Sequence, residues 1–170
     1  MGKIIIIACI NQSLTLGNNN TLLYKIKDDL RNFKQNTINN TILMGKKTFD
    51  SLPIKPLPKR NNIIITHDQN YNCDNCIICQ SIEDGIKYWK EHLYNTDLFI
   101  IGGSSIYRQV LDKDIADEMI ITLVFDYKDG DAKFPDYMKN KKWHEIYSSP
   151  IMYDEIEKLS YQYITYKNIK

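Results

Sequence analysis

The feature that most constrains the fold of this chain is a set of short apolar runs rich in isoleucine. They occupy residues 3 to 10, 41 to 45, 62 to 66, 76 to 79, 97 to 103 and 118 to 125. Several are apolar without alternation, which is typical of strands covered on both faces. Helical patterns separate them at residues 26 to 37, 46 to 52, 82 to 92 and 104 to 111. This alternation predicts an α/β fold with a mostly parallel, twisted sheet flanked by about four helices.

The C-terminal part of the chain has a different pattern. Residues 143 to 149 and 159 to 166 alternate between apolar and polar side chains, and no helical pattern separates them. Such alternation indicates strands with one buried and one wetter face, so we expect an antiparallel hairpin to close the sheet. The 170 residues contain no internal repeat and no linker, and we interpret residues 1 to 170 as a single domain.

Charge and hydropathy limit the possible partners. The 22 basic and 21 acidic residues form no sustained run of either sign, which argues against nucleic acid or a membrane surface and favours a small-molecule ligand. The apolar runs are too short to cross a membrane, and no signal peptide is recognisable at the N-terminus. We therefore expect a soluble, cytoplasmic protein that acts as a monomer.

Three of the four cysteines, Cys73, Cys76 and Cys79, form a C-x2-C-x2-C pattern. Thiolates at this spacing can share a metal ion, but no fourth ligand lies nearby, and Cys79 ends a predicted strand. We expect no metal site and reduced, structural thiols.

Two junctions between a predicted strand and a predicted helix are candidate anion sites. Gly102 and Gly103 precede one helix, and Lys46, Lys47 and Thr48 follow Gly45 at the start of another. Glycines allow close approach to an anion, and a helix N-terminus offers free N–H groups. Each signal also fits tight packing or solvated lysines. Together they suggest one extended, multiply charged ligand.

The stretch YKIKDDLRNF, residues 24 to 33, places two aspartates in the first turn of a helix. At about 100° per residue, Ile26, Leu30 and Phe33 form an apolar stripe, with Asp29 roughly 60° from Ile26 and Asp28 on the far side. Asp28 fits a charge that favours the helix dipole. Asp29 borders the dry face, where a carboxylate requires a partner.

Arg60 follows a proline-stiffened loop. It is one of only 3 arginines beside 19 lysines. A planar guanidinium binds a carboxylate at two points better than lysine does, although a surface ion pair is equally compatible with the sequence.

These pieces, in their order, resemble the dihydrofolate reductase family. The matching segments are IIIIACI, Gly17, DDLRNFKQNT, ILMGKKTFDSL, LPKRNNIIIT, FIIGGSSIY, IITLV and GDAKFPDY, which extend from residue 4 to about residue 137. The resemblance implies NADPH-dependent reduction of 7,8-dihydrofolate to 5,6,7,8-tetrahydrofolate, by hydride transfer to C6 and protonation of N5. Such an activity supports one-carbon metabolism and thymidylate synthesis, and it is a target of antifolates.

The resemblance also implies roles for individual residues. Asp29 is the carboxylate that hydrogen-bonds the pterin, with Thr122 supporting it, and Arg60 clamps the α-carboxylate of the glutamate tail. The remaining substrate contacts would come from Ile7, Leu30, Phe33, Leu52, Leu57, Ile101 and Tyr107. The cofactor residues would be Cys9, Leu16, Gly17 and Asn20 near the nicotinamide, Lys46, Lys47, Thr48, Thr66, His67 and Gln80 around the adenosine and its phosphates, and Gly102, Gly103, Ser104, Ser105 and Tyr107 around the pyrophosphate and nicotinamide.

The chain departs from the family pattern at three places. Leu23-Tyr24 replaces Pro-Trp, and the tryptophan usually helps to hold a water near the pterin. A tyrosine hydroxyl can make that hydrogen bond, so we expect Asp29 and Tyr24 to be the catalytic residues. Ser104 replaces a third glycine, and Ser105 stands where many bacterial members carry a basic residue for the 2′-phosphate. NADPH preference then depends on Lys46, Lys47 and His67.

Two alternatives remain at this point. One is a pteridine or riboflavin-precursor reductase of the same fold, against which Asp29 and Arg60 argue because they suit a pterin edge and a glutamate tail. The other is a nucleotide-binding module without catalysis, which the Leu23-Tyr24 change leaves open.

Overall fold

The computed structural model describes all residues from 1 to 170. Its strands are β1 Ile4–Asn11, β2 Thr15–Asn18, β3 Thr21–Leu22, β4 Thr41–Gly45, β5 Asn61–Ile65, β6 Ile77–Cys79, β7 Leu98–Gly102, β8 Glu118–Val124, β9 Ala132–Lys133, β10 Trp143–Ser148, β11 Met152–Asp154 and β12 Leu159–Asn168. Its helices are α1 Lys27–Thr37, α2 Lys46–Ser51, α3 Ile82–His92 and α4 Ser104–Asp112. A short 3-10 turn covers Tyr137–Lys139.

The main sheet has nine strands, in the order β10-β12-β8-β1-β7-β4-β5-β6, and β11 pairs with β12. Along the part of the sheet with the order β8-β1-β7-β4-β5-β6, every pair of neighbouring strands is parallel. The pairings of β12 with β8, β10 and β11 are antiparallel. The predicted mixed α/β sheet with an antiparallel C-terminal end is therefore confirmed.

The central strand β1 contributes to a core on each face of the sheet. Ile4 and Ile6 belong to the larger core, which also contains Trp89 of α3 and Val110 of α4. Ile5 and Ile7 alternate with them and belong to a second core on the other face. Burial on both faces explains why this strand shows no alternation of polar and apolar residues. It also holds β1 in place, because a fully buried isoleucine side chain contributes about 1.5–3 kcal/mol.

The helices begin and end within one residue of the expected positions. The structure has α1 at Lys27–Thr37, α2 at Lys46–Ser51 and α4 at Ser104–Asp112, and α3 has the predicted bounds. At the start of α3, the Ser81 hydroxyl accepts a hydrogen bond from the backbone N–H of Asp84. Such a cap satisfies one of the free N–H groups of the first turn.

A second, smaller sheet was not expected from the sequence. Its order is β3-β2-β9, and both pairings are antiparallel. The strands have only 4, 2 and 2 residues for β2, β3 and β9. Strands this short give no detectable periodicity, so sequence patterns do not reveal them.

The expectation of reduced thiols is wrong for two cysteines. Cys73 and Cys76 form a disulfide, and Cys9 and Cys79 are free. The loop between β5 and β6 turns sharply between Cys73 and Cys76 and brings their Cα atoms to 5.6 Å, a separation typical of disulfides. No helix is both long and apolar enough to cross a membrane.

The loop between α2 and β5 is fixed by one buried side chain, Asn62, which is 1% exposed. Its Oδ1 accepts a hydrogen bond from the backbone N–H of Leu57, and its Nδ2 donates to the carbonyls of Leu57 and Arg60, each at 3.0 Å. Asn62 therefore sets the path of the backbone that carries Arg60.

We predict that Asn62→Ala destabilises the protein by about 1–3 kcal/mol, because it leaves three partly buried backbone groups without their side-chain partner. Chemical denaturation measures the change. The matched control is Asn72→Ala, since Asn72 is exposed. Equal stability of both variants would show that the Asn62 side chain does not hold the loop.

Candidate active site

The two adjacent aspartates of α1 point in different directions. The Asp29 carboxylate accepts a hydrogen bond of 2.5 Å from the Thr122 hydroxyl of β8. Asp28 is largely exposed, pairs with Arg31 at 2.9 Å, and accepts a hydrogen bond from the Tyr161 hydroxyl at 3.2 Å. The helical phase derived from the sequence therefore separates the two side chains correctly.

Asp29 is half-buried. Burial raises the pKa of its carboxyl group above the usual value, although the hydrogen bonds from Thr122 and from the Cys9 thiol act in the opposite direction. Burial and the nearby Asp29 carboxylate also raise the pKa of Cys9, well above the usual range of a thiol. Cys9 therefore stays protonated near neutral pH and can donate a hydrogen bond to the carboxylate.

The residues next to Asp29 form a row across three strands. Cys9 of β1 is opposite Thr122 of β8, and Thr122 is opposite Tyr163 of β12. Directly opposite residues project from the same face of a sheet, so all three side chains project toward Asp29. Tyr163 was not singled out from the sequence. The Asp29 charge contributes to raising the pKa of this tyrosine, after burial as the main cause.

Four apolar side chains lie on the same face of the sheet as Cys9 and Asp29, and we call the surface that they form with Asp29 the cleft. Phe33, Leu52, Leu57 and Ile101 pack, partly buried, against the core that contains Ile5 and Ile7. Leu30 belongs to the apolar stripe that the sequence predicts on α1, but its side chain is not buried: the residue is 48% exposed. An apolar side chain left open next to a buried carboxylate offers contact area to a flat, apolar ligand.

Two backbone features complete the central part of the cleft. The Tyr107 hydroxyl donates a hydrogen bond of 2.7 Å to the carbonyl of Ile7. Gly102 has φ of +115°, and a Cβ there would lie 3.1 Å from the Tyr107 ring. Only glycine fits this conformation and this contact. The cis peptide bond between Gly102 and Gly103 lies at the same place.

Arg60 lies on the proline-containing loop between α2 and β5, and Asn62 bonds to its backbone and to that of Leu57. The Arg60 Nε donates to the carbonyl of Pro58 at 3.0 Å, and its Nη1 donates to the Thr37 hydroxyl at 3.1 Å. Burial lowers the pKa of the guanidinium. An adjacent polar hollow of about 430 Å³ is lined by Asn39, Asn40, Lys59, Arg60 and Asn61. Neutral partners thus orient Arg60, and its remaining N–H groups can bind an anion.

The two predicted anion sites lie side by side. Their strands, β4 and β7, are neighbours in the sheet and parallel, so both helices begin at the same edge. A Cβ at Gly103 would lie 3.4 Å from the Thr48 hydroxyl, and one at Gly45 would lie 3.4 Å from the Ile106 side chain. The junctions therefore form one continuous surface rather than two separate sites.

The start of α4 has unused hydrogen-bonding groups. Its N-cap residue, Gly103, provides no side-chain cap. The Ser104 hydroxyl is buried and has no hydrogen-bond partner. A buried hydroxyl without a partner is costly, so a ligand oxygen at this place would satisfy it. These residues fit the pyrophosphate of a dinucleotide.

The remaining cofactor candidates lie along the same edge. Lys46 is 3.8 Å from the Asp68 carboxylate and 5.1 Å above the Tyr71 ring, whereas Lys47 is exposed. Thr66 follows β5 and bonds to the end of β6 through the carbonyl of Cys79. His67 follows β5, Gln80 follows β6, and Ser105 lies in the first turn of α4. All three are exposed. The set therefore surrounds the carboxyl ends of β4, β5, β6 and β7.

Of the four candidates for the nicotinamide end, Cys9 lies on β1 and contacts Asp29, whereas the other three lie on the loop between β1 and α1. Leu16 and Gly17 belong to β2, and Asn20 lies in the turn between β2 and β3. The turn is held from outside the loop, because the backbone N–H of Asn19 donates to Asp131. Asp131 directly precedes β9, which pairs with β2. The small sheet that the sequence did not reveal therefore supports this loop.

Tyr24 differs from the expectation. It is 8% exposed, and its hydroxyl donates to the Asp126 carboxylate at 2.6 Å and accepts from the Asn11 amide at 3.1 Å. The hydroxyl has one hydrogen, and the ionised Asp126 carboxylate can only accept. This hydrogen is therefore not available for a hydrogen bond toward Asp29.

Comparison with known proteins agrees with this geometry. The family model described as dihydrofolate reductase matches residues 3–168. A dihydrofolate reductase of Buchnera aphidicola subsp. Baizongia pistaciae is 36% identical over 168 residues, which are 99% of this chain and 98% of the relative. The enzyme of Staphylococcus aureus is 35% identical over 122 residues, 72% of this chain and 71% of its own length. The solved structure of dihydrofolate reductase from Enterococcus faecalis, complexed with NADP(H) and RAB-propyl, superimposes with a TM-score of 0.86 at 25% identity and covers 99% of this chain and 98% of that one. By sequence and by structure, this chain belongs to the dihydrofolate reductase family.

Proposed function

We propose that the protein reduces 7,8-dihydrofolate to 5,6,7,8-tetrahydrofolate with NADPH. The observation that carries the proposal is the half-buried Asp29 carboxylate, held by Thr122 at 2.5 Å beside an apolar cleft. A pterin presents N–H groups along one edge, and these donors suit a carboxylate in such a place. The groove along β4, β5, β6 and β7 lies next to it, which allows a dinucleotide and a pterin to meet.

Asp29 binds and orients the pterin. Its Oδ1 accepts from Thr122, and because a carboxylate offers about four acceptor positions, the group can also accept from the ring. The Thr122 bond fixes the direction of the carboxylate, so ring and cleft wall stay aligned. Negative charge at this position also stabilises the ring as it becomes more basic during reduction.

The cleft walls hold the substrate and exclude water. Leu30, Phe33, Leu52, Leu57 and Ile101 contact the ring and its aromatic linker, and the carbonyls of Ile7 and Ile101 face the ring. Arg60 binds the α-carboxylate of the glutamate tail with the N–H groups that Pro58 and Thr37 do not use. Two-point binding of a carboxylate is the task to which a guanidinium is best suited.

The cofactor residues form the other half of the site. Ser104, Gly102 and Gly103 would hold the pyrophosphate, with Thr48 beside them, and Lys46, Lys47 and His67 would hold the 2′-phosphate. NADPH, when bound, supplies the hydride that reaches C6 of dihydrofolate, and N5 takes a proton from solvent. Tyr107 and Gly102 would form the wall for the nicotinamide, because the Tyr107 hydroxyl is bonded to the carbonyl of Ile7 and the ring contacts Gly102.

A same-fold pteridine or riboflavin-precursor reductase remains the main alternative, but Asp29 and Arg60 favour a substrate with both a pterin edge and an acidic tail. We also infer that the protein acts as a monomer in the cytoplasm. In support, all groups assigned to the two ligands come from one chain. A single-chain mass in solution, measured by light scattering, is the expected result.

The purified protein should oxidise NADPH in the presence of dihydrofolate, faster than it oxidises NADH. We expect Asp29→Asn to lower kcat/KM at pH 7 by at least about 100-fold, the lower end of the range lost when a well-placed catalytic group is removed. Loss of reduced-nicotinamide absorbance measures the rate. The matched control, Asp28→Asn, should retain most of the activity. Folded wild-type protein without turnover would overturn the proposed function.

The same pair of variants tests the cost of burying Asp29. Because the folded-state pKa of Asp29 is raised, the folded protein binds this proton more tightly than the unfolded chain does. The free-energy cost of ionising Asp29 in the folded protein is absent below the usual carboxyl pKa. It grows as pH rises from that value to the raised pKa of the folded protein. Asp29→Asn should therefore unfold at a higher temperature than wild type near pH 7, with a gain that shrinks toward acidic pH. Asp28→Asn should show no such gain, since its carboxylate is largely exposed.

Arg60→Lys tests the tail clamp. Lysine keeps the charge but loses the planar fork and the bonds to Pro58 and Thr37, so KM for dihydrofolate should rise by about tenfold or more while kcat changes less. Steady-state kinetics with saturating NADPH give both constants. Lys158→Gln, an exposed charge on the C-terminal turn, is the control. An unchanged KM in Arg60→Lys would remove the assigned role.

A further inference from the structure

The loop between β1 and α1 is closed at its base by three side chains from separate parts of the chain. Asn11 is the last residue of β1, Tyr24 lies just before α1, and Asp126 follows β8. We call this set the loop clasp. The residues between its first two members, 12 to 23, include Leu16, Gly17 and Asn20.

Asn11 is the centre of the loop clasp. It is 0% exposed, and its Nδ2 donates to the Tyr24 hydroxyl at 3.1 Å and to the carbonyl of Lys128 at 2.7 Å. Its Oδ1 accepts from the backbone N–H groups of Ser13 at 2.9 Å and Thr15 at 3.1 Å. Both donors and both acceptor positions of this amide are thus used, so it has one favoured orientation.

Tyr24 and Asp126 extend this set to the neighbouring segment. The Tyr24 hydroxyl donates to Asp126 at 2.6 Å, and the carbonyl of Asp126 accepts from the backbone N–H of Gln12 at 3.0 Å. Burial of a phenol requires a hydrogen-bond partner, and Asp126 supplies a charged one. Asn11 and Tyr24, which flank the loop, are therefore bonded to each other and to the segment after β8.

We propose that Tyr24 acts as a positioning residue, which through Asn11 and Asp126 fixes the base of loop 12 to 23 over the nicotinamide end of the site. Its hydroxyl takes no part in moving a proton to the substrate, since its only hydrogen is committed to Asp126. The role toward the cofactor rests on the proposed function, whereas the effect on the loop does not.

The test compares two matched variants. Tyr24→Phe removes the hydroxyl and keeps the ring. Tyr161→Phe removes a second phenol that donates to an aspartate, Asp28, within the same apolar cluster. Hydrogen exchange of the unliganded protein is then measured for the backbone N–H groups of Gln12, Ser13 and Thr15.

We expect exchange of these three groups to accelerate by about tenfold or more in Tyr24→Phe and to stay within about twofold of wild type in Tyr161→Phe, because only the first removes one hydrogen-bond partner from Asn11 and one from Asp126. Asp126→Asn, which keeps an oxygen that can accept from the phenol, should exchange more slowly than Asp126→Ala. Unchanged exchange in Tyr24→Phe, or equal acceleration in both phenylalanine variants, would overturn the loop clasp.

Kinetics then separate positioning from proton transfer. With a misplaced loop, KM for NADPH should rise several-fold in Tyr24→Phe, while the ratio of kcat at pH 6 to kcat at pH 9 stays that of wild type. A changed ratio, with unchanged exchange at residues 12 to 15, would show that the hydroxyl acts in proton transfer and would overturn the proposal. Inactive wild-type protein with the expected exchange pattern would instead count against the proposed function alone.

Discussion

Parallel pairing of β1 with both β7 and β8 is the constraint on which the site depends. It brings the carboxyl ends of these strands to one edge of the sheet, where polar backbone groups and loops meet. The register then decides which side chains face each other: Cys9 stands opposite Thr122, and Thr122 receives Asp29 from α1. A slip of one residue would turn Thr122 to the other face and leave Asp29 buried without a partner. The buried isoleucines of β1 thus hold a functional register as well as a core.

The buried carboxylate illustrates a conflict between stability and function. Burial raises the pKa of Asp29, which means that the folded protein is less stable with this group ionised than it would be with a neutral one. Thr122 and Cys9 offset part of this cost through hydrogen bonds. The part that is not offset is what makes the carboxylate a strong acceptor for a ligand, because a fully satisfied group would gain little from binding. Ser104 presents the same situation at the start of α4, where a buried hydroxyl has no partner within the chain.

The sequence predicted the parallel sheet, the four helices and the phase of the two aspartates because these follow from apolar periodicity over several residues. It did not predict the small sheet of β2, β3 and β9, whose strands are too short to show a period. Tyr163 was also missed, although alternation in residues 159 to 166 puts it on the same face as Tyr161; only the register with β8 shows that this face meets Asp29. The disulfide between Cys73 and Cys76 depends on a local turn that the spacing of cysteines leaves undetermined. For Tyr163 and for the pairing of β2 with β9, the missing information was a contact between distant segments, which no local pattern contains.

The orientation of Tyr24 shows why a single substitution is difficult to interpret without its surroundings. From the sequence, a tyrosine in place of the family's tryptophan suggested that a hydroxyl replaces an indole N–H in the same hydrogen bond. A phenol, however, both donates and accepts, whereas an indole only donates. Asn11 and Asp126 match both capacities: one donates to the hydroxyl and the other accepts from it. A tryptophan at this position would leave the Asn11 donor without its acceptor, so the change from indole to phenol fits this chain together with Asn11 and Asp126. The three residues are therefore best understood as one unit, whose function belongs to the loop rather than to the pterin.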